Sequence, residues 1–218
     1  MVMKQLVMKK RRSSLWPEVE SVDYAAELEM PVPGEVSDAL NRLRERLGSR
    51  YVVYGEWLYA RHTVYYDALP HYFLEFDVLD RQGDTFLSTD RRRDLLAGLP
   101  IASAPVLYDG APDTLEALTA LVGPCRFKSP RWRERLIARA GQQGLDVDRV
   151  LRETDPEITA EGLYLKLEEG GRVVDRLKWV RASFLQAVEE SGSHWLNRPI
   201  IPNLLADDVD IYSDPQAE

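Results

Sequence analysis

The sequence holds one cysteine, Cys125, in 218 residues. A single thiol excludes an internal disulfide framework and a cysteine-rich zinc site. The three histidines, His62, His71 and His194, lie far apart, with no HExxH or other paired spacing. A histidine-built metal site is thereby disfavoured, and a carboxylate-held Mg²⁺ stays open. No apolar run reaches the roughly 18–20 residues that span a bilayer. The N-terminal apolar residues precede their basic cluster, the reverse of a secretory signal. A cytoplasmic chain without a membrane span is the expectation. Internal repeats and low-complexity segments are also lacking.

What is present is an ordinary globular composition, 44% hydrophobic and 29% charged. A chain of this length buries roughly 70% of its unfolded surface, enough to fold without a disulfide or metal. The net charge of -8 argues against coating nucleic acid by bulk attraction. That sum hides local structure. Residues 1–12 carry Lys4, Lys9, Lys10, Arg11 and Arg12 and no acid. Residues 126–139 carry Arg126, Lys128, Arg131, Arg133, Arg135 and Arg139 against one acid, Glu134. Residues 203–218 hold only acids among their charged side chains.

Pro17, Pro31 and Pro33-Gly34 mark residues 13–34 as irregular. Ser37 is placed to cap a helix to about Leu47, with Leu40, Leu43 and Leu47 on one stripe and Gly48 as its stop. Strands follow at Tyr51–Tyr59 and His71–Leu79. Both are nearly continuously apolar, as in strands covered on both faces. Asp90 is read as the cap of a helix to Ala97. Further helices are expected over about 113–122, 130–140 and 146–153. Glu161–Glu168 and Arg172–Arg181 form a hairpin around Gly170-Gly171, followed by a helix from about Ala182 to Glu190 and an irregular tail. Strands and helices do not alternate, so the class is α+β with an antiparallel sheet.

With Glu169 and Arg172 flanking the turn, Leu163 faces Lys178 and Glu161 faces Val180. Glu161 and Lys178 are then diagonal neighbours on one face, about 7–8 Å apart at the backbone, within reach of one phosphate and its metal. Lys166 opposes Asp175 as an ordinary ion pair.

Gly55-Glu56-Trp57, Phe76-Asp77, Glu161-Gly162 within EGLYLK, and Lys178 within LKWVR occur in that order. They resemble the later motifs of ATP-dependent RNA ligases. The resemblance runs from about Val36 to near Tyr212. It implies an antiparallel-sheet, ATP-grasp-like nucleotidyltransferase domain at residues 35–190, incomplete at its N-terminus. A divergent segment, 1–34, would precede it, and an extension with an acidic tail, 191–218, would follow. It also implies ATP and Mg²⁺ (or Mn²⁺) as cofactors and RNA or other nucleic-acid ends as partners. The implied activity joins a 5′-phosphate to a 3′-hydroxyl through adenylate intermediates. Carried over by position, Glu56 would contact the ribose and Phe76 would stack on adenine. Glu161 would help hold the metal, and Lys178 would neutralise the α-phosphate. Phosphoryl transfer asks for such positioned charge and little else.

The family's adenylated lysine starts a K-x-D-G motif. None of the six lysines, Lys4, Lys9, Lys10, Lys128, Lys166 and Lys178, begins one. Covalent AMP chemistry therefore has no obvious acceptor. The alternatives are a non-catalytic module for a nucleotide or RNA end, and an inactive, truncated product. Arg181 is the candidate for the family's second basic residue of the last motif, although strand parity turns it away. The 126–139 cluster reads as a solvated helix face or an RNA-phosphate track. Arg91, Arg92 and Arg93 at a helix start hint at a polyanion or acidic partner. Trp57 and Tyr59 are assigned to the core, and His62 and His71 to structural roles.

Overall fold

The structure, a computed structural model, describes residues 34–190 and 198–210. The basic arm at 1–12, the irregular reading of residues 13–33, His194, and the tail acids Asp214 and Glu218 lie outside the described residues. In chain order the elements are α1 (Gly34–Leu47), β1 (Tyr51–Trp57), β2 (Phe73–Asp80), β3 (Thr85–Leu87), α2 (Thr89–Leu96) and β4 (Ala102–Ser103). They continue with α3 (Leu115–Thr119), α4 (Trp132–Gln142), α5 (Val147–Arg152), β5 (Gly162–Glu169), β6 (Arg172–Val180) and α6 (Ala182–Glu190). The class is α+β, as expected. One open sheet runs β1-β2-β3-β6-β5 with antiparallel neighbours, and β4 adds a short parallel pairing to β2.

α1 begins before Ser37 and stops where Gly48 turns to a φ of +51°. Its Leu43 and Leu47 pack with Val53, Val78, Leu96 and Leu99 against the sheet. α2 is capped by Ser88, not Asp90; the Ser88 hydroxyl accepts from the Arg91 amide at 3.5 Å. Thr89 donates from its amide (2.9 Å) and hydroxyl (2.7 Å) to Glu168, tying α2 to β5. Of the three arginines at this helix start, Arg92 is buried and pairs with Glu75 of β2. Burial against a carboxylate explains why this cation does not face a partner.

β2 is buried along nearly its whole length, as its apolar run predicts. β1 is not. It is an edge strand, with Tyr54 40% and Trp57 62% exposed, and Tyr59 beyond it is 40% exposed. Trp57 and Tyr59 are therefore surface side chains, because among the described residues only β2 flanks this strand.

Two β-bulges reset the registers. Between β1 and β2, Tyr54 pairs with Asp77 and Gly55 with Glu75, so the extra residue is Phe76. A Cβ at Gly55 would overlap the Phe73 ring, which makes glycine the residue that fits. In the β5–β6 hairpin, Gly170 and Gly171 supply the positive φ values of +58° and +79° that a tight turn needs. Glu169 pairs with Arg172, as expected, but the register skips Val174 between Leu167 and Glu168. Beyond that bulge Tyr164 faces Lys178, and Lys166 faces Arg176. The pairing of Leu163 with Lys178 does not form, nor does the Lys166–Asp175 ion pair. One extra residue moves every later partner by one position and reverses the face it shares.

Residues 198–206 run beside the segment 59–69. Asn203 donates its amide to Tyr59 (2.7 Å), Leu204 to Tyr66 (2.9 Å) and Ala206 to Leu69 (2.9 Å); Arg61 donates back to Ile201 (2.8 Å). The largest core cluster includes Leu58, Tyr66, Leu74, Phe76, Phe127 and Phe184, joining both ends of the sheet.

Candidate nucleotide-binding cleft

β1 and the start of β5 bring Glu56 and Glu161 into one cleft, lined also by Trp57, His62, Tyr66 and Asn203. Glu161 is 5% exposed, and its Oε1 accepts a hydrogen bond from the Tyr66 hydroxyl at 2.9 Å. Burial, then the nearby Glu161 carboxylate, pushes the Tyr66 phenol well above its ordinary 10.0. Tyr66 therefore stays a neutral donor to Glu161 across the physiological range. Its backbone is fixed by Asn203, whose Oδ1 accepts from the Tyr66 amide (2.9 Å) and whose Nδ2 donates to the Leu58 carbonyl (2.7 Å).

Glu161 sits where it does because of Gly162 and Arg181. A Cβ on Gly162 would collide with the Trp179 carbonyl, so only glycine lets β5 start this close to β6. The Arg181 amide donates to the Glu161 carbonyl at 3.0 Å. The Arg181 guanidinium pairs with Asp155, reaches Glu157 at 3.0 Å, and donates through Nε to the Ala160 carbonyl at 3.0 Å. It clasps the loop that delivers Glu161, a structural task for the candidate second basic residue. Burial raises the Asp155 carboxyl, with Arg181 opposing that shift.

The remaining residues of the motifs fall elsewhere. Lys178 faces Tyr164, is exposed, and does not line the cleft. Phe76 is 6% exposed in the core, with its ring edge-on to Tyr164 at 5.8 Å. Behind it lies a polar cluster that no spacing argument anticipated. Asp77 accepts Lys166 at 2.7 Å, Arg176 at 3.1 Å and the Tyr164 hydroxyl at 2.8 Å. Burial lowers the Lys166 ammonium, with Asp77 opposing. Arg176 in turn stacks on Phe86 at 3.7 Å.

The 126–139 basic segment is not a single track. Lys128 is buried, donating to the Asp155 (3.2 Å) and Glu157 (2.5 Å) carbonyls and lying 4.2 Å over the Trp132 ring; burial lowers its ammonium. Arg135 is held by Asp67 (3.6 Å) and Asp207 (2.8 Å). Arg126, Arg131 and Arg133 remain exposed. His71 accepts the Phe73 amide at 3.0 Å, a turn-forming role, whereas His62 lines the cleft.

Two carboxylates in one cleft suit Mg²⁺, which binds through one or two carboxylates and completes its shell with water and phosphate. Among the described residues no group of three or more His, Cys, Asp or Glu side chains could hold a metal alone.

Tyr66 and Asn203 were missed from the sequence. Tyr66 lies in the YYDALP run that follows Glu56, where a signal existed. Asn203 lies in the tail, where no spacing marks it.

The chain matches the RNA ligase family over residues 2–180 and belongs to that family. Neither a curated protein nor a solved structure matches it. Among the described residues no helix is long and apolar enough to cross a membrane.

Proposed function

We propose that the chain is a nucleotidyltransferase-type domain of the RNA ligase family that holds Mg²⁺·ATP in the Glu56–Glu161 cleft and acts at RNA ends. The observation that carries this reading is the convergence of Glu56 and Glu161, from separate elements, in one cleft. Glu161, oriented by Tyr66, would take the metal; Glu56 would face the ribose. The metal would offset charge developing on the phosphates. The protein's own part is to orient Glu161, through the hydrogen bond it accepts from the Tyr66 hydroxyl, and to fix its direction through Asn203 and Arg181.

A second reading, binding without covalent chemistry, is favoured by the lysines. None begins K-x-D-G; Lys128 is buried, and the partly buried Lys166 is engaged by Asp77. Incubation with labelled ATP and Mg²⁺, followed by a denaturing gel, separates the two. A covalent AMP adduct, mapped to its lysine, supports the joining activity. Saturable ATP binding with no adduct supports the binding module. Absence of both adduct and ATP binding removes the nucleotide reading altogether.

A further inference from the structure

Trp57 sits at the mouth of the cleft and is 62% exposed, an unusual state for the largest apolar side chain. It does not stand alone. Its ring centroid lies 6.3 Å from that of Tyr72 at an interplanar angle of 52°, and Tyr59 meets Tyr72 edge-on at 5.3 Å and 74°. The Tyr72 hydroxyl donates to the Asn203 carbonyl at 3.4 Å, so the shelf and the cleft share a support. Tyr59 is 40% exposed beside it. These rings form a braced aromatic shelf that meets the cleft at Trp57, which lines it together with Glu56 and Glu161.

A ligand for such a shelf needs a flat π-face and a polar or charged end for the cleft. An unpaired nucleobase attached to a phosphate has both, and base stacking on aromatic side chains is the usual grip on single strands. We propose that Trp57, braced by Tyr72 and Tyr59, is a stacking platform for an unpaired base near the end of a single-stranded RNA. The inference rests on the reading of the chain as acting at RNA ends, and it deepens that reading by naming the strand state. A duplex end keeps its bases stacked on one another and has none to offer laterally.

The full chain is titrated with a short 5′-phosphorylated single-stranded RNA and with its duplex, using Trp57→Ala, Trp57→Phe and Tyr59→Ala beside the unaltered protein. Single-strand affinity is expected to fall roughly 5- to 150-fold in Trp57→Ala. Trp57→Phe should stay within about threefold of the unaltered chain, because it keeps a π-face. Tyr59→Ala should show a smaller loss, and affinity for the duplex should not move. The platform is overturned by undiminished single-strand binding in Trp57→Ala, by Trp57→Phe as weak as Trp57→Ala, by an equal loss for the duplex, or by absence of RNA binding. A parallel Mg²⁺·ATP titration separates this result from the cleft reading. ATP binding with no Trp57 effect removes the platform alone, whereas Trp57-dependent RNA binding without ATP binding removes the cleft reading alone.

Discussion

Asn203 is 1% exposed, with its side chain bonded to the Tyr66 amide and the Leu58 carbonyl and its own amide bonded to Tyr59. Replacing it with alanine strands two buried backbone groups, each worth about 1–3 kcal/mol when left unsatisfied. Asn203→Ala is therefore expected to lose about 2–6 kcal/mol and to lower the thermal midpoint by roughly 4–24 °C. An unchanged midpoint in a thermal melt would show that the bonds are dispensable. The Arg50–Asp80 pair, at 2.7 Å, offers a test of sign. The hydrogen bond from Arg50 holds the Asp80 carboxyl below its ordinary 3.8. A depressed carboxyl contributes stability that is present above the unfolded value and is lost as pH falls through the folded one. Following Asp80 by NMR should show it titrating below 3.8 in the unaltered chain and moving back up toward that value in Arg50→Ala. A carboxyl that does not move would contradict the pairing. At this scale the sequence was readable where motifs crowd together, at Glu56 and Glu161. It was silent at Asn203, whose partners are distant in the chain.

The elements were largely legible from periodicity and turn chemistry: β1, β2, the β5–β6 hairpin and α6 lie close to where their patterns put them. The registers were not, because bulges have no reliable signature. Phe76 and Val174 are single unpaired residues, yet Val174 alone moves Lys178 from Leu163 to Tyr164 and frees Lys166 for Asp77. The short strands β3 and β4 escaped notice because two or three residues carry no period. Gly162 ties element geometry to the cleft. Its replacement by alanine must push β5 off the Trp179 carbonyl, since backbone has no rotamer with which to yield. Gly162→Ala should cost about 3 kcal/mol in urea denaturation. A midpoint equal to that of the unaltered chain would mean that the strands separate freely there.

At the scale of the whole molecule, the charge of -8 does not tell which cations reach the surface. Arg61, Arg92, Lys128, Arg181 and Arg198 are buried. Burial, with Arg198 nearby, lowers Arg61 to about 10 despite the attraction of Glu153. Within the basic segment only Arg126, Arg131 and Arg133 remain exposed. Phosphate contacts from those three alone would give a slope of about -2 in log affinity against log salt on a single strand. RNA binding measured over a salt series should show a slope of about -2 or shallower, with stacking supplying the remainder. A slope of about -5 or steeper would return the weight to phosphate contacts and away from the aromatic shelf. Family membership agrees with what the motifs foretold. The order of those motifs survives the bulges, while the distribution of their side chains over faces does not. The central claim is that Mg²⁺·ATP is held between Glu56 and Glu161. Isothermal titration of the full chain with ATP, in the presence and absence of Mg²⁺, tests it most directly. The account predicts saturable, Mg²⁺-dependent binding that weakens at least about tenfold in Glu161→Gln and stays within about threefold in Lys178→Ala. Undiminished binding in Glu161→Gln, together with its loss in Lys178→Ala, would contradict the account.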